Sequence, residues 1–302
     1  MKDVIKNILN RIRISLIIFR YKLWQANDKE MSKFLKSLKI MSMDDTLTYI
    51  HEHKCSIARY GDGEFYIMGG GSNLFQKVDD NLAKRLCEIL SNPNPNLLIC
   101  IPSFLNNLRP FIQNTRLTGY GFRQVYLKTC VIPYIQTGYV YGDSLISRFY
   151  MIWRKKDKAI KYVESLKRLW DKENILIVEG YTSRLGVGND LFNNASSICR
   201  IICPQENAYD KYSEIFETVK EYANSKLVII ALGMTATVLA YDLSKLGIRA
   251  LDLGHIDIEY EWFKMKATKK VYVPNKTVAE VGAVCTTHLD NREYNSQILS
   301  KI

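Results

Sequence analysis

Leu97-Leu98-Ile99-Cys100-Ile101 is apolar at every position, and so are the centres of 174–180 and 226–232. A strand with one wet face alternates; a run without alternation is buried on both faces, as in a parallel sheet covered by helices. Pro102 stops the first run, and Asn92-Pro93-Asn94-Pro95-Asn96 precedes it as a turn. Amphipathic segments lie between the runs. One spans 79–91, opened by Asp79 and Asp80 as caps, with Leu82, Leu86, Ile89 and Leu90 on one face. Others span 157–170, 209–222 and 235–246, the last closed by Gly247. Ala250–Leu253 returns as a strand, which completes a strand–loop–helix–strand unit. Such units build parallel sheets with right-handed crossovers and take ligands beyond the strands' carboxyl ends. The expected class is α/β: a Rossmann-like, mostly parallel sheet flanked by helices, with residues 103–155 forming helices and loops around a cleft.

The 302 residues are 47% hydrophobic and 24% charged, which supports one large domain. We place that domain at 41–302, behind a basic segment at 1–40. The net charge of +11 concentrates in that segment, where ten Lys/Arg face three acids. A nucleic-acid enzyme spreads cations over its body, so no nucleic-acid partner is expected. The seven cysteines contain no CxxC pair and read as reduced thiols in the cytoplasm. The run His51–Cys55 alternates across a polar stretch and is set aside as a metal site.

Ile5, Ile8, Ile12, Leu16, Phe19 and Leu23 recur at helical spacing, with Lys2, Lys6, Arg13, Arg20 and Lys22 around them. The apolar run 14–19 is too short to span a bilayer and has no cleavage site behind it. Two readings stand: residues 1–25 lie on an anionic membrane, peripheral on the inner face of the plasma membrane, or the helix packs on its own domain or a second subunit.

Arg59-Tyr60-Gly61-Asp62-Gly63-Glu64 carries the sharpest chemistry. Asp62 and Glu64 offer hard oxygens suited to Mn²⁺ or Mg²⁺. Arg59 is a cation for a diphosphate, and Gly61 and Gly63 permit positive φ or a close ligand approach. Further polar clusters follow the later strands. After 174–180 come Arg184, Asn189 and Gly186-Val187-Gly188, which lacks the spacing of a nicotinamide fingerprint. After 226–232, Gly233 opens a helix whose N-terminus could seat an anion, with Thr235 and Thr237 as caps or phosphate contacts. After 250–253, His255, Asp257, Glu259 and Glu261 share a face if 254–262 is a strand, and stack in i,i+4 pairs if it is a helix.

These residues resemble the GT-D-type bacterial glycosyltransferases, a family formerly a domain of unknown function. The resemblance rests on Arg59–Glu64, EGYTSRLGVGNDLF at 179–192, Cys203-Pro204 with Asn207-Ala208, LGMTATVLAYDL at 232–243 and LDLGHIDIEYEWF at 251–263. It implies a Rossmann-like fold whose Asp-X-Glu motif, here Asp62-Gly63-Glu64, supports a divalent metal and a UDP-sugar. Met234 departs from the family pattern, which has proline there. The expected donor contacts are Arg59, Gly61, Gly63, Arg184, Asn189, Asn207, Thr235 and Thr237. Glu259 or His255 is the expected base, with Asp257 as alternative. Tyr60, Phe65 and Tyr66 are available rings for the uracil or sugar. The expected activity moves a hexose from a UDP-sugar to a glycan, glycoprotein or lipid-linked saccharide. Its rivals are a metal-dependent phosphohydrolase or nucleotidyltransferase, and a noncatalytic membrane-surface adaptor.

Overall fold

The computed structural model describes residues 2–286 and 289–302; the side chains of residues 2–8, Ile5 and Ile8 among them, lie outside that description. In chain order come α1 (Lys2–Asn27), α2 (Lys29–Ser37), β1 (Lys39–Ile40), α3 (Met43–His53), β2 (Ser56–Arg59), α4 (Asp62–Met68) and α5 (Asp80–Ser91). Next are β3 (Leu97–Ile101), α6 (Gln113–Tyr126), β4 (Val140–Asp143), α7 (Ala159–Lys167), β5 (Asn174–Gly180) and β6 (Ser197–Cys203). The chain ends with α8 (Tyr212–Tyr222), β7 (Leu227–Ala231), α9 (Thr235–Lys245), β8 (Ala250–Asp252), α10 (Ile256–Lys264), α11 (Arg292–Gln297) and β9 (Ile298–Lys301).

Among the described residues the strands form one nine-stranded sheet, ordered β1-β4-β3-β2-β8-β7-β5-β6-β9. Every pairing is parallel, so the sheet is wholly rather than mostly so. Alternate residues of the apolar runs feed two cores. Ile99, Ile101, Leu176, Val178, Val228 and Ile230 pack with α5, α6, α8 and α9 on one face. Leu98, Cys100, Ile175, Ile177, Ile229 and Leu251 pack with α3, α7 and α10 on the other. This double burial is the physical reason the runs lack alternation.

The segment 254–262, open between strand and helix in the sequence, is helical: α10 begins at Ile256. β6 escaped the apolar pattern because Arg200 sits at its centre. That guanidinium is buried and donates to Glu179 Oε1 (2.6 Å), to the Leu185 carbonyl (2.9 Å) and to Gln297 Oε1 (2.7 Å). It ties β6 to β5 and to α11, which leads into edge strand β9.

Helix α1 lies against α6. Ile18 is buried, Tyr21 stacks on Tyr120 at 6.0 Å, and Arg123 donates to Gln25 Oε1 at 2.9 Å. The packing face is not the stripe read from the sequence: Ile12, Leu16, Phe19 and Leu23 are exposed. All seven cysteines are free thiols.

Removing the cation of a buried pair strands its partner, which typically costs about 3–5 kcal/mol. Arg200→Met should therefore lower unfolding stability by about that amount in urea titrations, and adding Glu179→Gln should recover most of the loss.

Candidate active site

The chain leaves β2 toward β3, and leaves β8 toward β9 at the opposite edge. Adjacent strands whose exits diverge leave a crevice beyond their carboxyl ends, the place where open α/β sheets bind ligands. A cavity of about 700 Å³ opens there, walled by residues that follow β2 to β8. Its size suits a ligand as large as a nucleotide sugar.

Arg59, the last residue of β2, holds the crevice together. Its Nε donates to the Asp252 carbonyl (2.5 Å), and Nη2 to Asp252 Oδ1 (3.0 Å). Nη1 reaches the Ser144 carbonyl (3.1 Å) and Ser147 Oγ (2.5 Å), and the Arg59 backbone N–H donates to Asp252 Oδ2 (3.1 Å). The guanidinium lines the cavity, yet four of its five N–H groups bond to protein and its charge is paired with Asp252. Gly254 makes this possible: it has φ +44°, and a Cβ there would collide with Arg59 Nη2.

The acidic motif lies on the first turn of α4, not on an open loop. Gly61 is its N-cap at φ −121°, and Glu64 reaches back so that Oε2 accepts from the Gly61 N–H at 2.6 Å. Neither Gly61 nor Gly63 uses positive φ, which corrects the sequence expectation. Both glycines line the cavity, and a Cβ at Gly63 would sit 3.1 Å from Met234 Sδ. Asp62 is exposed at the cavity mouth, and Glu64 is half-buried inside it. Burial, then the Asp252 carboxylate, pushes the Glu64 carboxyl up to about 7.

The other expected residues divide. Gly233, at φ +53°, lines the cavity with Met234, but Thr235 and Thr237 are buried behind that turn. Thr235 does not cap α9, whose N-cap is Met234, and Thr237 Oγ1 donates to the Arg59 carbonyl at 3.0 Å. Arg184 is buried and turned to the 275–285 segment, where Nη1 donates to the Asn275 carbonyl (2.7 Å). Asn189 bridges Asp257 Oδ1 (2.8 Å) and Glu261 Oε1 (2.7 Å) from outside the cavity wall. Asn207 accepts from the Lys77 N–H and donates to the Phe75 carbonyl, both at 2.8 Å. It fixes the loop that presents Phe75 to the cavity. Tyr60 and Phe65 are buried, with Tyr60 donating to the Leu86 carbonyl at 2.7 Å, while Tyr66 faces the cavity.

Among the base candidates, Glu259 is fully buried and accepts from the Tyr150 N–H (2.8 Å) and the Met151 N–H (2.5 Å), away from the cavity. Asp257 lines the cavity but is held by Lys276 Nζ (2.6 Å) and the Gly186 N–H (2.8 Å). His255 also faces it, with Nε2 3.0 Å from Glu280 Oε1, which Arg148 grips at 2.6 Å. Nε2 is off the line of a well-directed hydrogen bond. Burial, then Arg148, holds the imidazole well below its usual range, so it is neutral at pH 7. Burial works against the Glu280 charge, but Arg148, by its charge and its hydrogen bond, outweighs it and the carboxyl lies at about 2. Arg148, Asp252 and Glu280 were not singled out in the sequence. Only Asp252, at a strand end, carried a local signal.

Among the described residues no group of three or more His, Cys, Asp or Glu side chains is arranged around a point for a metal. The wall offers two hard carboxylates, Asp62 and Glu64, with Asp252 behind them. Mg²⁺-type ions take one or two carboxylates and complete their shell with phosphate and water. The donor set thus fits a cation that arrives with a diphosphate.

Sheet and cavity place the chain among α/β proteins that bind ligands at a topological switch point. Comparison with known proteins narrows the class: residues 57–281 match the glycosyltransferase GT-D fold family, and the chain belongs to it. It is 39% identical over 273 residues to a probable glycosyl transferase, Gly, of Streptococcus gordonii. It is 36% identical over 284 residues to the glycosyltransferase GlyD of Streptococcus pneumoniae serotype 4. These alignments cover 88% and 90% of this chain but 39% and 33% of the relatives, so the chain spans two-fifths or less of their length. A solved structure of domain of unknown function 1792, described as a distinct glycosyltransferase fold, superposes with TM-score 0.86 at 39% identity, covering 90% of this chain and 98% of its own. A new glycosyltransferase of that domain type from Streptococcus sanguinis gives TM-score 0.82 at 39% identity, covering 88% and 99%.

A carboxyl held at about 2 against an ordinary 4.5 stabilises the fold above pH 4.5 and loses that contribution as pH falls toward 2. Glu280→Gln should therefore cost about 3 kcal/mol at pH 7. The gap from wild type should narrow steadily below pH 4.5 in denaturant titrations repeated across pH.

Proposed function

We propose that the chain is a glycosyltransferase that moves a hexose from a UDP-sugar to a hydroxyl of a glycan, glycoprotein or lipid-linked saccharide, with Mn²⁺ or Mg²⁺ bound between protein and donor. One observation carries the reading: Asp62 and Glu64 share a cavity wall with Arg59 at the crevice between β2 and β8. The cation, when bound, supplies neutralisation of the charge that grows on the departing diphosphate. Asp62 and Glu64 would hold it, and Arg59, paired with Asp252, fixes the wall behind them. The Leu232–Met234 turn and the rings of Tyr66 and Phe75 offer backbone and aromatic surface for the nucleotide.

His255 is the base we assign. It faces the cavity, is neutral at working pH, and sits beside a carboxylate that steadies it as it takes the acceptor proton. Asp257 is less suited because Lys276 neutralises it, and Glu259 because it is sealed from the cavity. Free thiols throughout are compatible with a reducing cytoplasm, where a UDP-sugar donor is at hand.

Calorimetry with a panel of UDP-sugars should show binding with Mn²⁺ that EDTA abolishes. Asp62→Asn combined with Glu64→Gln should lower turnover by about 10²–10³-fold at unchanged thermal midpoint; transfer at the wild-type rate would remove the metal role. With His255 as base, the acid limb of kcat/KM should fall below pH 6.5, and His255→Ala should abolish that limb along with most of the rate.

A further inference from the structure

Helix α1 has two apolar faces, and the domain uses one. Ile14, Ile18, Tyr21 and Trp24 turn inward against the core that includes α6. At about 100° per residue, Leu9, Ile12, Leu16, Phe19 and Leu23 lie on the opposite side. These five are between 50% and 61% exposed, so the stripe is open along the helix. A single exposed leucine needs no explanation, but a continuous stripe does.

The charge pattern selects the occupant. Exposed Arg13 and Arg20 border one edge of the stripe, and exposed Arg11 and Lys22 the other. No acid stands between Asp3 and Asp28. A second copy laid along this stripe would bring cation against cation with no carboxylate to pair. An anionic lipid surface instead matches the whole pattern: apolar side chains enter the acyl boundary while the cations reach headgroup phosphates. Among the described residues no helix is long and apolar enough to cross a membrane, so the geometry is that of a helix lying in the interface.

We propose that the exposed face of α1 docks this protein on anionic phospholipid bilayers. The proposal does not depend on the enzymatic reading. Its consequence does: α6 bears Thr118, Phe122 and Tyr126 on the cavity wall and packs against α1. Packed helix axes are about 8–10 Å apart, so the cavity would open close to the surface, near any acceptor anchored there.

Co-sedimentation of the full chain with phosphatidylcholine–phosphatidylglycerol vesicles, against phosphatidylcholine alone, tests it. The expected result is binding at least tenfold stronger to the anionic vesicles and weakened by salt. Leu16→Glu with Phe19→Glu should abolish it, and Arg13→Gln with Arg20→Gln should weaken it and flatten its salt dependence. Both variants change exposed side chains, so thermal midpoints should match wild type. Equal binding to both vesicle types, or full binding by the Leu16/Phe19 variant, would overturn the proposal. So would a dimer in sedimentation velocity that dissolves in that variant while vesicles are ignored, which would assign the face to a second copy.

Discussion

The Arg59–Asp252 contact is the interaction on which the site's geometry rests. β2 and β8 are neighbours at the switch point, yet their ladder registers only the pair Ile57 and Leu251. By contrast β5 and β6 pair along seven residues. Where the ladder is short, strands are free to splay, and here the side chains take over. One guanidinium bonds to the backbone and carboxylate of Asp252 and to Ser144 and Ser147 after β4. A planar fork of donors can satisfy several acceptors at once, which an ammonium cannot do in the same geometry. Burial raises the Asp252 pKa while Arg59 opposes it, so each charge is tolerable only beside the other. The backbone ladder between these strands is short, and the Arg59–Asp252 pair bridges them at its end.

A second set of buried charges assembles the opposite wall. The 275–285 segment crosses the carboxyl ends of the strands and is tied at each step. Asn275 accepts from Arg184, Lys276 meets Asp257 and Glu261, the Thr277 hydroxyl meets that of Thr182 at 2.7 Å, and Glu280 meets Arg148. These bonds join elements distant in sequence, so the strap's position reports on the folded sheet as a whole. Residues read as donor contacts, such as Arg184 and Asn189, belong to this scaffold. They support the side chains that face the cavity without facing it themselves.

That division explains what was legible beforehand. Strands β3, β5 and β7 announced themselves because their neighbours on both faces are apolar, and the Asp-X-Glu motif because its residues are adjacent in sequence. β6 was hidden by Arg200, a charge whose burial makes sense only once Glu179 is known to lie beside it. The segment after β8 satisfied both periods, since alternating acids also stack at i,i+4, and only packing of Ile256, Ile258 and Trp262 into the core shared with α3 and α7 decided for a helix. Glu280 and Arg148 left no trace, because a pairing across 132 residues has no local pattern. The inward face of α1 was equally hidden: its cations drew attention to the stripe, while the residues that hold the helix to α6 lie behind it.

The same bookkeeping of charge constrains how a donor would bind. Arg59 and Asp252 cancel, which leaves Asp62 and Glu64 facing a cavity that, on the proposed reading, must accept a diphosphate. Two carboxylates repel that anion, and Glu64 already resists ionisation, with its carboxyl pushed up to about 7. A nearby cation reverses both effects: it favours the carboxylate form of Glu64 and offers the phosphates a positive neighbour. The wall is therefore balanced for neither ligand alone. On that reading, cation and donor would each improve the site for the other, a positive coupling that requires no conformational change, only charges that the fold holds in place.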